Sequence, residues 1–171
     1  MQRPEENTRT ITSASAYAVI AGFINSWCSE DKLKILLYPL TNRGAYGFDF
    51  DSGPMPISVF SNIPDVMQSI ADDYERNNQE AWLLDFDRLR SLVSDSVQLN
   101  FVSPPTPDSL FAGRSKETVS RVSYPGFSED GLHAGLYFDA YGKGRSQIGW
   151  SIGLILRGET WTLESQKALF H

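Results

Sequence analysis

Between Leu132 and Leu163 the chain alternates apolar and other residues with the period of two that belongs to paired strands. Leu132, Ala134, Leu136, Phe138 and Ala140 share one side, and His133, Gly135, Tyr137, Asp139 and Tyr141 share the other. Gly142-Lys143-Gly144-Arg145 supplies a turn, after which Ile148, Trp150, Ile152, Leu154 and Leu156 alternate with Gly149, Ser151 and Gly153. Arg157-Gly158-Glu159-Thr160 turns again into Trp161-Thr162-Leu163-Glu164. With Val119–Ser123 added, the pattern predicts a four-strand antiparallel meander. It should bury its Leu/Ile/Trp side and leave the His/Tyr/Asp side in solvent.

Helical spacing dominates the first half. Tyr17, Ile20, Ala21, Ile24, Trp27 and Cys28 fall on one face of a helix over 13–28, capped by Thr12 or Ser13. Ile63, Val66, Met67, Ile70 and Tyr74 mark a second helix, with Asn62 as cap, Pro64 in the first turn and Asp72, Asp73 and Glu75 toward the outside. A third fits 86–94. Strands are expected over 33–38, with 46–50 as an antiparallel partner, and over 96–101. The Pro-rich stretch 103–108 reads as a bridge within one domain. Residues 1–12 read as a disordered N-terminal segment and 13–171 as a single domain. The expected fold is α+β, an antiparallel sheet of five or six strands with two or three helices packed on one face.

At 171 residues with 41% hydrophobic content, the chain can bury a core without disulfides or structural metal. The net charge of −6, with no basic stripe, argues against nucleic acid and against anionic lipid. No apolar run reaches membrane-spanning length, so no membrane insertion is expected. The residues from Met1 carry no export signal and read as cytoplasmic; removal of a leader ahead of them would make the protein exported and periplasmic. Nothing in the chain calls for a cofactor.

Ser120-Arg121-Val122, Gly126-Phe127-Ser128, Asp130, Ala134, Tyr137, the glycines Gly142 and Gly144, and Trp161-Thr162-Leu163 form a further pattern, with Asn78 and Trp82-Leu83 upstream. Over about residues 78–163 it resembles a loose group of small bacterial proteins of unknown function, often predicted to be exported. Ser-Tyr-Pro between Ser-Arg-Val and Gly-Phe, and the turn Gly-Glu-Thr-Trp, depart from that pattern. The resemblance implies the sheet and export; it implies no reaction.

Candidate chemistry is sparse. Cys28 lies at a helix C-terminus, where the helix dipole disfavours a thiolate, and reads as a buried structural cysteine. His133 with Asp139 is the only catalytic pairing worth naming, and both sit on the strand side expected to be solvated. Phe48-Asp49-Phe50-Asp51-Ser52-Gly53 lacks the later ligands of a calcium loop. One cysteine and two histidines cannot build a standard zinc site. Asp72-Asp73 and Glu129-Asp130 are adjacent pairs, whose members diverge. Lys143 and Arg145, beside a sheet on an acidic protein, are the place to look for an acidic ligand. Gly149 and Gly153 leave a smooth groove, which helix 13–28 is expected to fill.

Two functions follow. The first is a non-enzymatic domain that binds another protein through Tyr137, Tyr141, Lys143 and Arg145 or through the acidic helix, an immunity-type inhibitor of a basic protein being one instance. The alternative is a small hydrolase with a His133/Asp139 site on the sheet.

Overall fold

The computed structural model describes residues 8–28, 34–41, 64–102, 119–142 and 145–170. The expected strand 46–50, the loop 51–62 with Asn62, the stretch 103–108 and Lys143 lie outside the described residues.

Three helices, α1 (Ala14–Trp27), α2 (Pro64–Asn77) and α3 (Phe86–Leu92), stand close to their expected positions. Ser13 caps α1, its hydroxyl accepting from the Ala16 amide at 3.2 Å, and Asp85 caps α3 through the Arg88 amide at 3.0 Å. The strands are β1 (Lys34–Leu37), β2 (Gln98–Phe101), β3 (Val119–Val122), β4 (Gly126–Phe127), β5 (His133–Gly142), β6 (Arg145–Arg157) and β7 (Thr160–Phe170). They form one sheet in the order β2-β1-β3-β5-β6-β7, with β4 pairing β5 off that path.

The sheet is mixed, which corrects the antiparallel expectation. β1 runs parallel to β2, with Ile35 beside Leu99, and parallel to β3, with Leu37 beside Ser120. Parallel neighbours need a long crossover, and the chain between β1 and β2 contains α2 and α3. The β5–β6–β7 meander is antiparallel, as the alternation predicted.

The two sides of the sheet are both covered. On one side, Ala134, Leu136, Phe138, Ile152 and Leu154 join Tyr17, Ile20, Phe23 and Ile24 of α1 in the main core. Phe23, Trp27, Phe138 and Trp150 stack there with ring centroids 4.9 to 5.7 Å apart, and Phe86 of α3 meets Phe101 at 5.0 Å. α2 lies on the opposite side. Gly126 pairs with Gly135, and a Cβ on Gly126 would stand 2.6 Å from the Tyr74 amide nitrogen and 2.7 Å from the Tyr74 Cβ. Gly22 makes the matching approach on the first side, where a Cβ would stand 2.6 Å from the Trp161 Cβ.

Three expectations change as a result. Helices pack on both faces rather than one, because α2 also carries an apolar stripe that must be buried. The His/Tyr/Asp side is interior: Tyr137 and Asp139 are 0% exposed. The groove at Gly149 and Gly153 is not filled by α1, which lies on the other face; both glycines are buried beside buried Ser151. Of the N-terminal segment, residues 8–12 are described, and Thr10 forms a bridge to Leu83. Ile11 is buried in the main core, and its amide donates to the Leu83 carbonyl at 2.9 Å.

Candidate functional site

Alternating polar residues line β5 and β3 on the α2 side, and their partners explain how they tolerate burial. Arg121 and Asp139 are directly opposed across β3 and β5. The guanidinium Nε donates to Asp139 Oδ1 at 3.0 Å and Nη2 to Oδ2 at 2.6 Å. With side-chain exposures of 5% and 0%, this is a buried bidentate ion pair. The Ser123 hydroxyl accepts from the Tyr137 amide at 2.8 Å. Tyr74 of α2 closes over this group, its phenol facing Ser123 and Asp139, and burial pushes its ionisation well above the ordinary value of 10.0.

The end of α2 is stapled to the segment leading into β4. The Asn78 amide group donates to the Tyr74 and Tyr124 carbonyls at 2.8 and 2.9 Å, and its oxygen accepts from the Tyr124 amide at 3.0 Å. Asn77 donates to the Pro125 carbonyl at 3.1 Å, and Asp73 Oδ2 accepts from the Phe127 amide at 2.8 Å. The β4–β5 turn is built around Ser128. Its hydroxyl donates to Asp130 at 2.5 Å and accepts from the His133 amide at 3.0 Å, while Gly131 takes a φ of +70°.

Between α2 and this turn opens a cleft of about 440 Å³, lined by Val66, Gln68, Ser69, Asp72, Ser128, Glu129 and Asp130. Among the described residues, three carboxylates and no cation line it. The Asp130 carboxyl is held below its ordinary range, first by the Ser128 hydroxyl, then by the Leu132 amide, with the charge of His133 adding to both. Among the described residues, no group of three or more His, Cys, Asp or Glu side chains is arranged to hold a metal ion.

His133 and Asp139 are not brought together. Six residues separate them along one strand, about 20 Å, and each has its own partner: Asp139 the Arg121 guanidinium, His133 the Glu164 carboxylate at 3.5 Å. Tyr137 is core. Tyr141 stands in register with Val119, and Arg145 with Gly142 at the base of the β5–β6 hairpin. Cys28 is buried, and burial raises its thiol's pKa, so it is a poor source of thiolate.

Sequence reasoning picked out Arg121 and Asn78 only as part of a pattern, without their partners, and missed the cleft. Asp72-Asp73 and Glu129-Asp130 do diverge within a pair: Asp73 turns to the Phe127 amide while Asp72 faces the cleft. What no local pattern shows is that Asp72 meets Glu129 and Asp130 from another element. Residues carrying the resemblance have structural uses here: Arg121 in the ion pair, Gly126 under α2, Ser128 and Asp130 in the turn, Trp161 against Gly22.

No family model matches the chain, and comparison with curated proteins and with solved structures finds no match. Among the described residues, no helix is long and apolar enough to cross a membrane.

Proposed function

We propose that this chain is a non-enzymatic protein-binding domain whose acidic cleft receives a basic segment of another protein. One observation carries the reading: Asp72 from α2 and Glu129 and Asp130 from the β4–β5 turn converge on a single open cleft whose lining, among the described residues, holds no compensating cation. Val66 offers an aliphatic wall for the stem of a lysine or arginine, and Gln68, Ser69 and Ser128 offer polar contacts at the rim. The lowered Asp130 carboxyl keeps that wall charged into the acid range. An overall charge of −6 favours fast encounter with a cationic partner. An inhibitor or immunity-type partner of a basic protein is one instance of this class.

The test compares wild-type protein with Asp72→Asn/Glu129→Gln as immobilised baits for the basic fraction of a native lysate, eluted from a cation exchanger. Asp130 is left in place because it holds the turn. A partner retained by the wild type should be lost about tenfold on the double variant and stripped by raised salt, since exposed charge is screened within about 10 Å at 0.1 M. An identical catch on both baits, or an empty wild-type bait, ends the reading.

A further inference from the structure

Just ahead of the Ser13 cap, Ile11 is 1% exposed, while Arg9, Thr10 and Thr12 around it are exposed. The segment runs parallel to residues 82–84, with Thr10 bridged to Leu83. The Ile11 amide donates to the Leu83 carbonyl at 2.9 Å, and the Leu83 amide donates to the Arg9 carbonyl at 2.8 Å. The Tyr17 hydroxyl donates to the Ile11 carbonyl at 3.0 Å, and Arg88 Nη1 donates to the Thr12 carbonyl at 2.9 Å. Each of these bonds ends on a main-chain atom of residues 9–12. The Ile11 side chain alone adds a demand of its own, an apolar socket in the main core.

The seat is built without help from the segment it holds. Leu84 donates to the Pro39 carbonyl at 2.9 Å and Thr41 to the Trp82 carbonyl at 2.8 Å, while the Trp82 amide donates to the Thr41 hydroxyl at 2.8 Å. Residues 82–84 are thus fixed from their far side, which leaves Leu83 to offer a donor and an acceptor to whatever pairs next to it. The Tyr17 hydroxyl is held by the Asp85 amide at 2.9 Å, and the Arg88 guanidinium lies 4.9 Å over the Tyr17 ring. A strand with an open edge accepts another strand, with main-chain bonds giving affinity and a side-chain pocket giving selectivity. Organisation in advance lowers the ordering cost of binding.

We infer that this seat is a strand-accepting site, which binds an extended segment of a partner protein carrying one aliphatic anchor in place of residues 9–12. In the isolated chain residues 9–12 occupy it and compete with the partner. The anchor is isoleucine or an aliphatic residue of similar size, because the socket closes over Ile11 to 1% exposure. Positions on either side are free to vary, since the bonds there go to the main chain. None of the seat residues lines the acidic cleft, so the site stands or falls apart from what the cleft binds.

A peptide with the sequence of residues 8–13, Thr-Arg-Thr-Ile-Thr-Ser, is the probe. It is titrated into the full-length protein and followed through the backbone amide signals of Leu83 and Asp85. Ile11→Gly weakens the internal occupant, so the peptide should shift these signals saturably and bind the variant about tenfold more tightly than the wild type. The same peptide carrying Ile11→Asp should bind neither protein. Equal affinity for both proteins, binding of the Ile11→Asp peptide, or no saturable shift on the folded variant overturns the site. Hydrogen exchange of the unmutated protein gives an answer even where Ile11→Gly fails to fold. Relative to their unstructured rates, the Ile11 and Leu83 amides should exchange together and about a hundredfold faster than the Leu84 amide, whose bond to Pro39 survives release of the segment. One common rate for all three means that residues 9–12 leave only on global unfolding, and it overturns the inference. A concentration-dependent dimer that Ile11→Gly abolishes assigns the seat to a second copy and overturns the partner.

Discussion

The two faces of the sheet each bury side chains under a helix and are held by different forces. Against α1 the contact is dry: Phe23, Trp27, Phe138 and Trp150 stack, and aliphatic side chains fill the rest. Against α2 the strands present Arg121, Ser123, Tyr137 and Asp139, every one buried. The first face is stabilised by apolar burial, which tolerates small changes of shape. The second depends on polar groups finding one another, and a single missing partner leaves a buried charge or dipole exposed to a medium that cannot solvate it. Adjacent residues should therefore respond very differently to substitution.

Asp139 and Phe138 give the sharpest contrast, since they are neighbours that point to opposite faces. Asp139→Asn leaves the Arg121 guanidinium without its counter-charge and should cost about 3–5 kcal/mol. That is a large part of the ~5–15 kcal/mol that holds a typical domain. Phe138→Leu keeps apolar bulk and loses ring pairs, for about 1–2 kcal/mol. Urea unfolding at pH 7 ranks them. If Phe138→Leu proved the more damaging, the ion pair would not be what organises the second face.

Glycine offers the next contrast, because each helix approaches the sheet over one. Alanine at either site places a Cβ within 2.6 to 2.7 Å of Trp161 or Tyr74 atoms, which forces a shift. Gly22→Ala regains about 1 kcal/mol of helix propensity, and it presses on β7, a strand with no outer neighbour among the described residues. Gly126→Ala regains nothing and presses on α2, which Asn77, Asn78 and Asp73 bind to the adjoining backbone. Gly126→Ala should cost about 3 kcal/mol and Gly22→Ala nearer 1. Equal midpoints in denaturant would show that the staples do not fix α2.

Much of this architecture is legible in the sequence. Periods of 3.6 and 2 locate α1, α2, α3, β5 and β6 because each pattern is set by neighbours a few residues apart. The direction of β1 is not legible, because its partners at Gln98–Phe101 and Val119–Val122 lie about 60 and 80 positions downstream and nothing local encodes a parallel register. The second face was misread for a related reason. A buried polar residue with a partner and a solvated one look alike in a sequence, and Asp139 shows its burial only once Arg121 is placed opposite. One sign was available: the apolar stripe of Val66, Ile70 and Tyr74 had to cover something, and the first face already had α1. The cleft carboxylates were legible as residues, while their convergence was not.

Alkaline pH separates the faces by the smallest margin. Tyr74 is buried and its phenol ionises only well above 10.0, chiefly through burial, with the Ser123 contact opposing and Asp139 reinforcing. Tyr17, on the α1 side, is raised in the same direction by burial, but its hydroxyl accepts from the Asp85 amide at 2.9 Å and donates to the Ile11 carbonyl at 3.0 Å. For a phenol whose pKa is raised by folding, the folded state holds the proton more tightly than the unfolded chain. The stabilisation is intact below about pH 10 and drains away as the pH climbs beyond it. Tyr74→Phe removes that titration at the loss of about 1 kcal/mol at pH 7, so stability measured from pH 9 to 11.5 should fall less steeply than in the wild type. Tyr17→Phe should cost more at neutral pH, where two hydrogen bonds go, and change the alkaline slope less. Parallel curves for wild type and Tyr74→Phe would mean that α2 opens far enough for the phenol to ionise in water, and that the polar face is the looser of the two.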